Sequence, residues 1–288
     1  MNIILNNIEN YYKNYIENLV FDERPKAEFL NLLNNNNCIE RQNIWDTFRA
    51  SHPNCDYSIL ANPFYIGFGN PNSDILFVGK EKAFDILNRP QLFIRESINN
   101  TLQWSSIYRN NQFEITHPQI LQNLGFNPFF PKSYHTNNFP TRHTWGIYST
   151  IVNGLYNSNL LLNESINFQN SFFSRCFTTE LNHIPSRYSR GLRMSQIRHA
   201  FFMNDFYRSF SKIFIGAIGY LTINELKTIF NVAPNNNGNL ITLGRNNQRE
   251  IIARYFEDNN RKIVYCNQLS GAAGWTNEAI NELILLML

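Results

Sequence analysis

The sequence predicts an α/β protein: a three-layer α/β/α sandwich around a four-stranded parallel sheet, with an N-terminal helical extension. Two observations carry this reading. From Asp74 onward, short apolar runs alternate with stretches of helical spacing, as in a sheet whose strands are joined by crossover helices. The runs are also short and mainly apolar, as in a parallel sheet covered by helices on both faces.

The four runs are "DILFVG" (Asp74–Gly79), "FFSRCFTTELN" (Phe172–Asn182), "KIFIGAIG" (Lys212–Gly219) and "KIVYC" (Lys262–Cys266). Between them the spacing predicts helices in "TWGIYSTIVNGLY" from Thr144, "SQIRHAFFMNDFYRSF" from Ser195 and "TINELKTIF" from Thr222. Residues 1–60 read as the helical extension: Ile8, Tyr11, Tyr12, Tyr15, Ile16 and Leu19 share one stripe, and a second helix follows near Lys26 to Leu33. Residues 61–288 form the main domain. Asparagine runs such as "NNNN" at Asn34 to Asn37 and "PNNNGN" at Pro234 to Asn239 mark loops.

Composition sets bounds on function. With 288 residues, 43% of them hydrophobic, the chain can bury a sizeable core. A formal charge of +3 permits nucleic acid as a partner without arguing for it. Cys38, Cys55, Cys176 and Cys266 contain no Cys-x-x-Cys pair, and the six histidines show no metal-ligand spacing, so neither a metal nor another cofactor is expected. Cys176 and Cys266 lie in apolar runs and read as core thiols. The start lacks the basic region and unbroken apolar stretch of a signal peptide, and no segment approaches a membrane span of about 20 apolar residues. A soluble, cytoplasmic protein is expected, with no membrane and no obligate protein partner.

In an open parallel sheet the binding crevice lies beyond the carboxyl ends of the strands. The residues there are Lys80 to Ala83, Glu180 to Pro185, Gly219-Tyr220 and Asn267 to Gly271. The "GFGNPN" at Gly67 precedes a strand, whereas a dinucleotide fingerprint must follow one, so no phosphate loop is predicted.

The segment "GFGNPNSDILFVGKEKA", the strand end "FTTELNHIPS" and the segment "YCNQLSGAAG" together resemble the uracil-DNA glycosylase superfamily over residues 61–288. In that resemblance Gly79 is the glycine of the first motif, and Glu81 stands where some branches carry a water-activating aspartate. Gln268-Leu269-Ser270 stand where the family has His-Pro-Ser, and Glu180 where many members have a base-binding Asn. The resemblance implies a DNA glycosylase that acts on a flipped base, in duplex or single-stranded DNA, and leaves an abasic site.

Each departure has its own chemistry. A carboxylate at Glu81 can stabilise oxocarbenium-like charge and orient the attacking water; the competing structural reading is a helix cap. Gln268 can donate to O2 of the departing base, or satisfy its own loop. An ionised Glu180 only accepts, which suits the N4 amino group of a cytosine rather than uracil; it could equally pair with Arg187 or Arg190. Ala83 stands where some uracil-specific members carry a tyrosine against C5 of the base, so a bulky 5-substituent could enter, unless Phe84 refills the space. Asn182 and His183 complete the expected base pocket. Lys80, Lys82, Ser186, Arg187, Arg190, Arg193, Ser270 and Gly271 are the expected DNA contacts, with a Schiff-base role for a lysine ranked below the hydrolytic one. Arg198 and Arg208 read as an ordinary solvated helix face. Trp275 is a candidate wedge but is more in keeping with core packing, and Phe129 to Trp145 reads as a loop over the pocket.

The expected function is therefore excision of a modified cytosine, such as glucosylated 5-hydroxymethylcytosine in phage DNA, as in an antiviral branch of that superfamily. The alternatives are a repair enzyme for uracil or another deaminated base, and a catalytically idle DNA-binding module.

Overall fold

The computed structural model describes residues 50–54, 61–83, 92–98, 100–101, 104, 128–129, 144–160, 168–186, 194–247, 249–258, 260–270 and 273–288. The helical extension over 1–60, apart from residues 50–54, lies outside them. So do Phe84, Arg187, Arg190, Arg193, Gly271 and nearly all of the 129–145 loop.

The four apolar runs form strands, as expected. They are β2 (Ile75–Gly79), β3 (Cys176–Glu180), β4 (Lys212–Gly216) and β7 (Arg261–Cys266), and their order β3-β2-β4-β7 is parallel throughout. The sheet itself is larger and mixed, which corrects the expectation of a purely parallel four-stranded one. With β1 (Phe68–Gly69), β5 (Asn239–Asn246) and β6 (Arg249–Asp258), the described residues form a seven-stranded sheet in the order β1-β3-β2-β4-β7-β6-β5. Strand β1 joins β3 antiparallel, while β6 joins β7 and β5 joins β6, both antiparallel.

Close backbone approach explains the glycines of "GFG". A Cβ on Gly67 would lie 2.2 Å from the Thr178 carbonyl oxygen, and one on Gly69 would lie 2.3 Å from that of Cys176. Both glycines also adopt positive φ, 138° and 100°, which a side chain disfavours.

Helices pack on both faces of the sheet. The register pairs Leu76 with Phe177 and Phe77 with Thr178, so Phe77 and Phe177 point to opposite sides. Phe77 stacks on Tyr148 of α1 (Thr144–Tyr156), with centroids 4.0 Å apart. Phe177 meets Phe206 of α3 (Asp205–Arg208) edge-on at 5.2 Å. The stretch from Ser195 breaks into two helices, α2 (Gln196–Phe202) and α3, because the Asn204 side chain accepts from the Phe206 amide and starts a new N-terminus. Helix α4 (Ile223–Phe230) opens with a capping box between Thr222 and Glu225, and α5 (Asn277–Met287) packs beside α1.

The chain divides into two compact units in interleaved segments. One comprises Gly67–Lys80, Phe129–Leu181 and Ser195–Leu288, and holds the whole sheet. The other comprises Met1–Ile66, Glu81–Pro128 and Asn182–Met194. In this second unit a π-helix spans Phe93–Ile98, the Asn100 side chain accepts from the Ile66 amide, and the Thr101 hydroxyl donates to the Phe64 carbonyl.

Candidate functional site

In the sheet-bearing unit, the carboxyl ends of the parallel strands carry a row of polar side chains. Glu180 ends β3 opposite Gly79, the last residue of β2. Its carboxylate fills the space a side chain on Gly79 would need, since a Cβ there would stand 2.1 Å from Oε2. Tyr148 shares this environment: burial first, and the Glu180 carboxylate second, push its phenol well above the ordinary value. An acceptor-only group is thus held at the junction of β2 and β3, half-buried and beside an undissociated phenol.

The backbone under Glu180 is held by a buried cation. Arg198, fully buried, donates from Nε to the Leu181 carbonyl at 3.2 Å and from Nη2 to the Glu180 carbonyl at 2.5 Å and the Thr179 hydroxyl at 3.4 Å. Its guanidinium also lies 4.6 Å from the Phe202 ring centroid. This corrects the solvated-face reading of Arg198: its neighbours on α2 are aromatic, and its fork satisfies carbonyls where the β3 ladder ends. Arg208 is corrected likewise, because its guanidinium donates to the Thr228 and Ile229 carbonyls in the last turn of α4.

Further along the same edge, a cleft of about 810 Å³ is lined by Lys80, Gln268, Ser270, Asn267 and the tip of the β5–β6 hairpin. Lys80 follows β2 and Gln268 follows β7, with β4 between them in the sheet. Strand β4 ends at Gly216, and the missing side chain lets residues 268–269 fold close, with the Leu269 amide nitrogen 3.0 Å from where a Cβ would be. The Gln268 carbonyl accepts from Trp275 Nε1 at 3.0 Å. Trp275 is buried and anchors this loop, so it packs in the core instead of acting as a wedge.

The sequence reading missed β5 and β6, and with them Asn246, Asn247 and Arg249 on the cleft wall. The available signal was two runs rich in β-branched and aromatic residues, "NLITLG" and "EIIARYFED", on either side of the polar "RNNQR".

Glu81, Lys82, Ala83, Asn182, His183 and Ser186 belong to the second unit. Glu81 and Lys82 are both buried, at 4% and 7% exposure, and the Lys82 ammonium lies 3.2 Å from the centroid of the Tyr65 ring. Lys82 therefore faces an aromatic surface, where a phosphate-contacting lysine was expected to reach solvent. Ala83 is exposed. Asn182 and His183 are buried, and the Asn182 side chain accepts from the Ile184 amide at 3.2 Å. The Ser186 amide donates to the Lys82 carbonyl at 2.8 Å, which ties the segment after Glu81 to the one after Asn182.

Cys176 and Cys266 are buried free thiols whose pKa values are raised by burial. Among the described residues no His, Cys, Asp or Glu group has the makings of a metal site, and no helix is long and apolar enough to cross a membrane. Comparisons with protein-family models, curated proteins and solved structures found nothing that matches this chain.

Proposed function

We propose that the protein is a DNA glycosylase that hydrolyses the N-glycosidic bond of a flipped-out modified cytosine. The observation that carries this reading is the Glu180 carboxylate set over Gly79 at the carboxyl ends of β2 and β3, where an open α/β sheet binds its ligand. A carboxylate in that position accepts from an exocyclic amino group and offers no donor to a uracil O4.

In this reading Glu81 takes a proton from water as the water oxygen bonds to C1′. The C1′–N1 bond breaks as the oxocarbenium-like charge develops, and its electron pair leaves with the base. Gln268 donates to O2 of the departing anion, and Lys80 and Ser270 contact the flanking phosphates. The base reaches the site by leaving the stack or from a single strand. A three-layer sandwich with four parallel strands at its centre belongs to the same proposal, as does the glucosylated 5-hydroxymethylcytosine of phage DNA as the leading substrate.

The test is to incubate the wild type and Glu81→Gln with DNA carrying uracil, 5-hydroxymethylcytosine or its glucosylated form, and to assay abasic sites. Release of one base that depends on Glu81 supports the proposal and names the substrate. Binding without release from any of the three replaces it with a DNA-binding module.

A further inference from the structure

Antiparallel pairing places the β5–β6 hairpin beyond the end of its neighbour. Ala253 of β6 pairs with Cys266, the last residue of β7, and β6 continues for four more residues to Arg249. At about 3.3 Å per residue this is an overhang of roughly 13 Å past the carboxyl edge of the sheet. Asn246 faces Arg249 across the hairpin, and its Nδ2 donates to the Gly274 carbonyl at 2.7 Å. Gly274 has a φ of 77°, and a Cβ on it would meet Asn246 Nδ2 at 2.6 Å, so this brace needs glycine there. The bond ties Asn246 to the loop before α5, and Asn246, Asn247 and Arg249 line one wall of the cleft.

The charge on that wall is positive. Arg249 and Lys80 both line the cleft, and the one carboxylate among its described lining residues, Glu250, is engaged by Arg245 at 2.9 Å. The amides of Asn247, Asn267 and Gln268 line the same cleft. Two cations and neutral donors lining one cleft match a phosphodiester: a singly charged anion with several acceptor oxygens, repeated along a strand.

We infer that the β5–β6 hairpin is an arm that grips the sugar-phosphate backbone of a DNA strand, with Arg249 and Lys80 on phosphates. The inference rests on the proposed glycosylase reading for the choice of DNA as the polymer.

Binding of a labelled, undamaged DNA oligonucleotide is measured by fluorescence anisotropy over a range of salt concentrations. The proteins compared are the wild type, Arg249→Ala and Arg175→Ala. Arg249 is exposed, so its removal leaves the core intact. Arg175 is also exposed but precedes β3, at the opposite end of the sheet, and provides a charge-matched control.

Arg249→Ala is expected to weaken binding about tenfold, as for the loss of one charge-assisted contact. It should also reduce the slope of log K against log salt by about 0.9 on duplex or about 0.7 on single-stranded DNA. Arg175→Ala should change neither. Equal behaviour of the two variants overturns the inference. So does displacement by inorganic phosphate with no gain from oligonucleotide length, or a preference for RNA of the same sequence. Assaying abasic sites in parallel separates the two proposals. Arg249-dependent binding without base release sinks the glycosylase and keeps the arm. Base release with no Arg249 dependence does the reverse.

Discussion

The Glu180 carboxylate occupies the position that any side chain on Gly79 would take, with Oε2 2.1 Å from the Cβ that Gly79 lacks. The two residues are register partners on neighbouring parallel strands. A glycine that closes a buried strand in the sequence is therefore, in the fold, the floor beneath an acid.

Gly79→Ala is expected to destabilise the protein by about 1–3 kcal/mol through overpacking against that carboxylate. Adding Glu180→Ala should recover a large part of the loss, since the two sites share one space. Urea unfolding of the two single variants and the double variant forms the cycle. Strict additivity would show that the Glu180 side chain does not stand over Gly79 in solution.

If Glu180 reads the base, Glu180→Asn should shift preference from a cytosine-type base toward uracil, because an amide offers both a donor and an acceptor. Rates of base release on paired substrates give the ratio. An unchanged ratio removes Glu180 from base reading even if activity persists.

Arg198→Met is expected to cost about 2–5 kcal/mol, because it strands the Glu180 and Leu181 carbonyls in a buried setting. Arg198→Lys should recover only part, since an ammonium cannot reproduce the fork. Denaturant unfolding measures both. A loss below about 0.5 kcal/mol, as for an ordinary surface change, would contradict the buried bracing role.

Burial and the neighbouring Asp74 raise the Tyr156 phenol from 10.0 to about 12. The group is protonated in the fold where the unfolded chain would already ionise, so its contribution is complete below pH 10.0 and is lost as pH rises toward about 12. Its phenol donates to Asp74 Oδ2 at 3.3 Å. Tyr156→Phe should lack this part of the alkaline fall in stability, measured by unfolding at a series of pH values. Identical profiles for wild type and variant would remove Tyr156 from the linkage.

Elements with a strong local signal are legible in the residues alone. Short apolar runs separated by helical stretches are the pattern of strands covered on both faces, and β2, β3, β4 and β7 lie where the runs do. Thr222 followed three residues later by Glu225 can only open a helix economically, and α4 begins there. Cys176 and Cys266 are buried because their neighbours are apolar.

Tertiary structure decided everything that depends on which face a residue takes. Strands β5 and β6 are half-exposed, so their polar positions diluted the hydrophobic signal, and only pairing with β7 reveals an overhanging hairpin. Arg198 is a charged residue of ordinary helical spacing, and it is the unpaired carbonyls at the end of β3, distant in sequence, that draw it into the core. Lys82 meets Tyr65 for the same kind of reason. Propensity and pattern are local properties. The burial of a polar group is set by partners that the folded chain alone brings near.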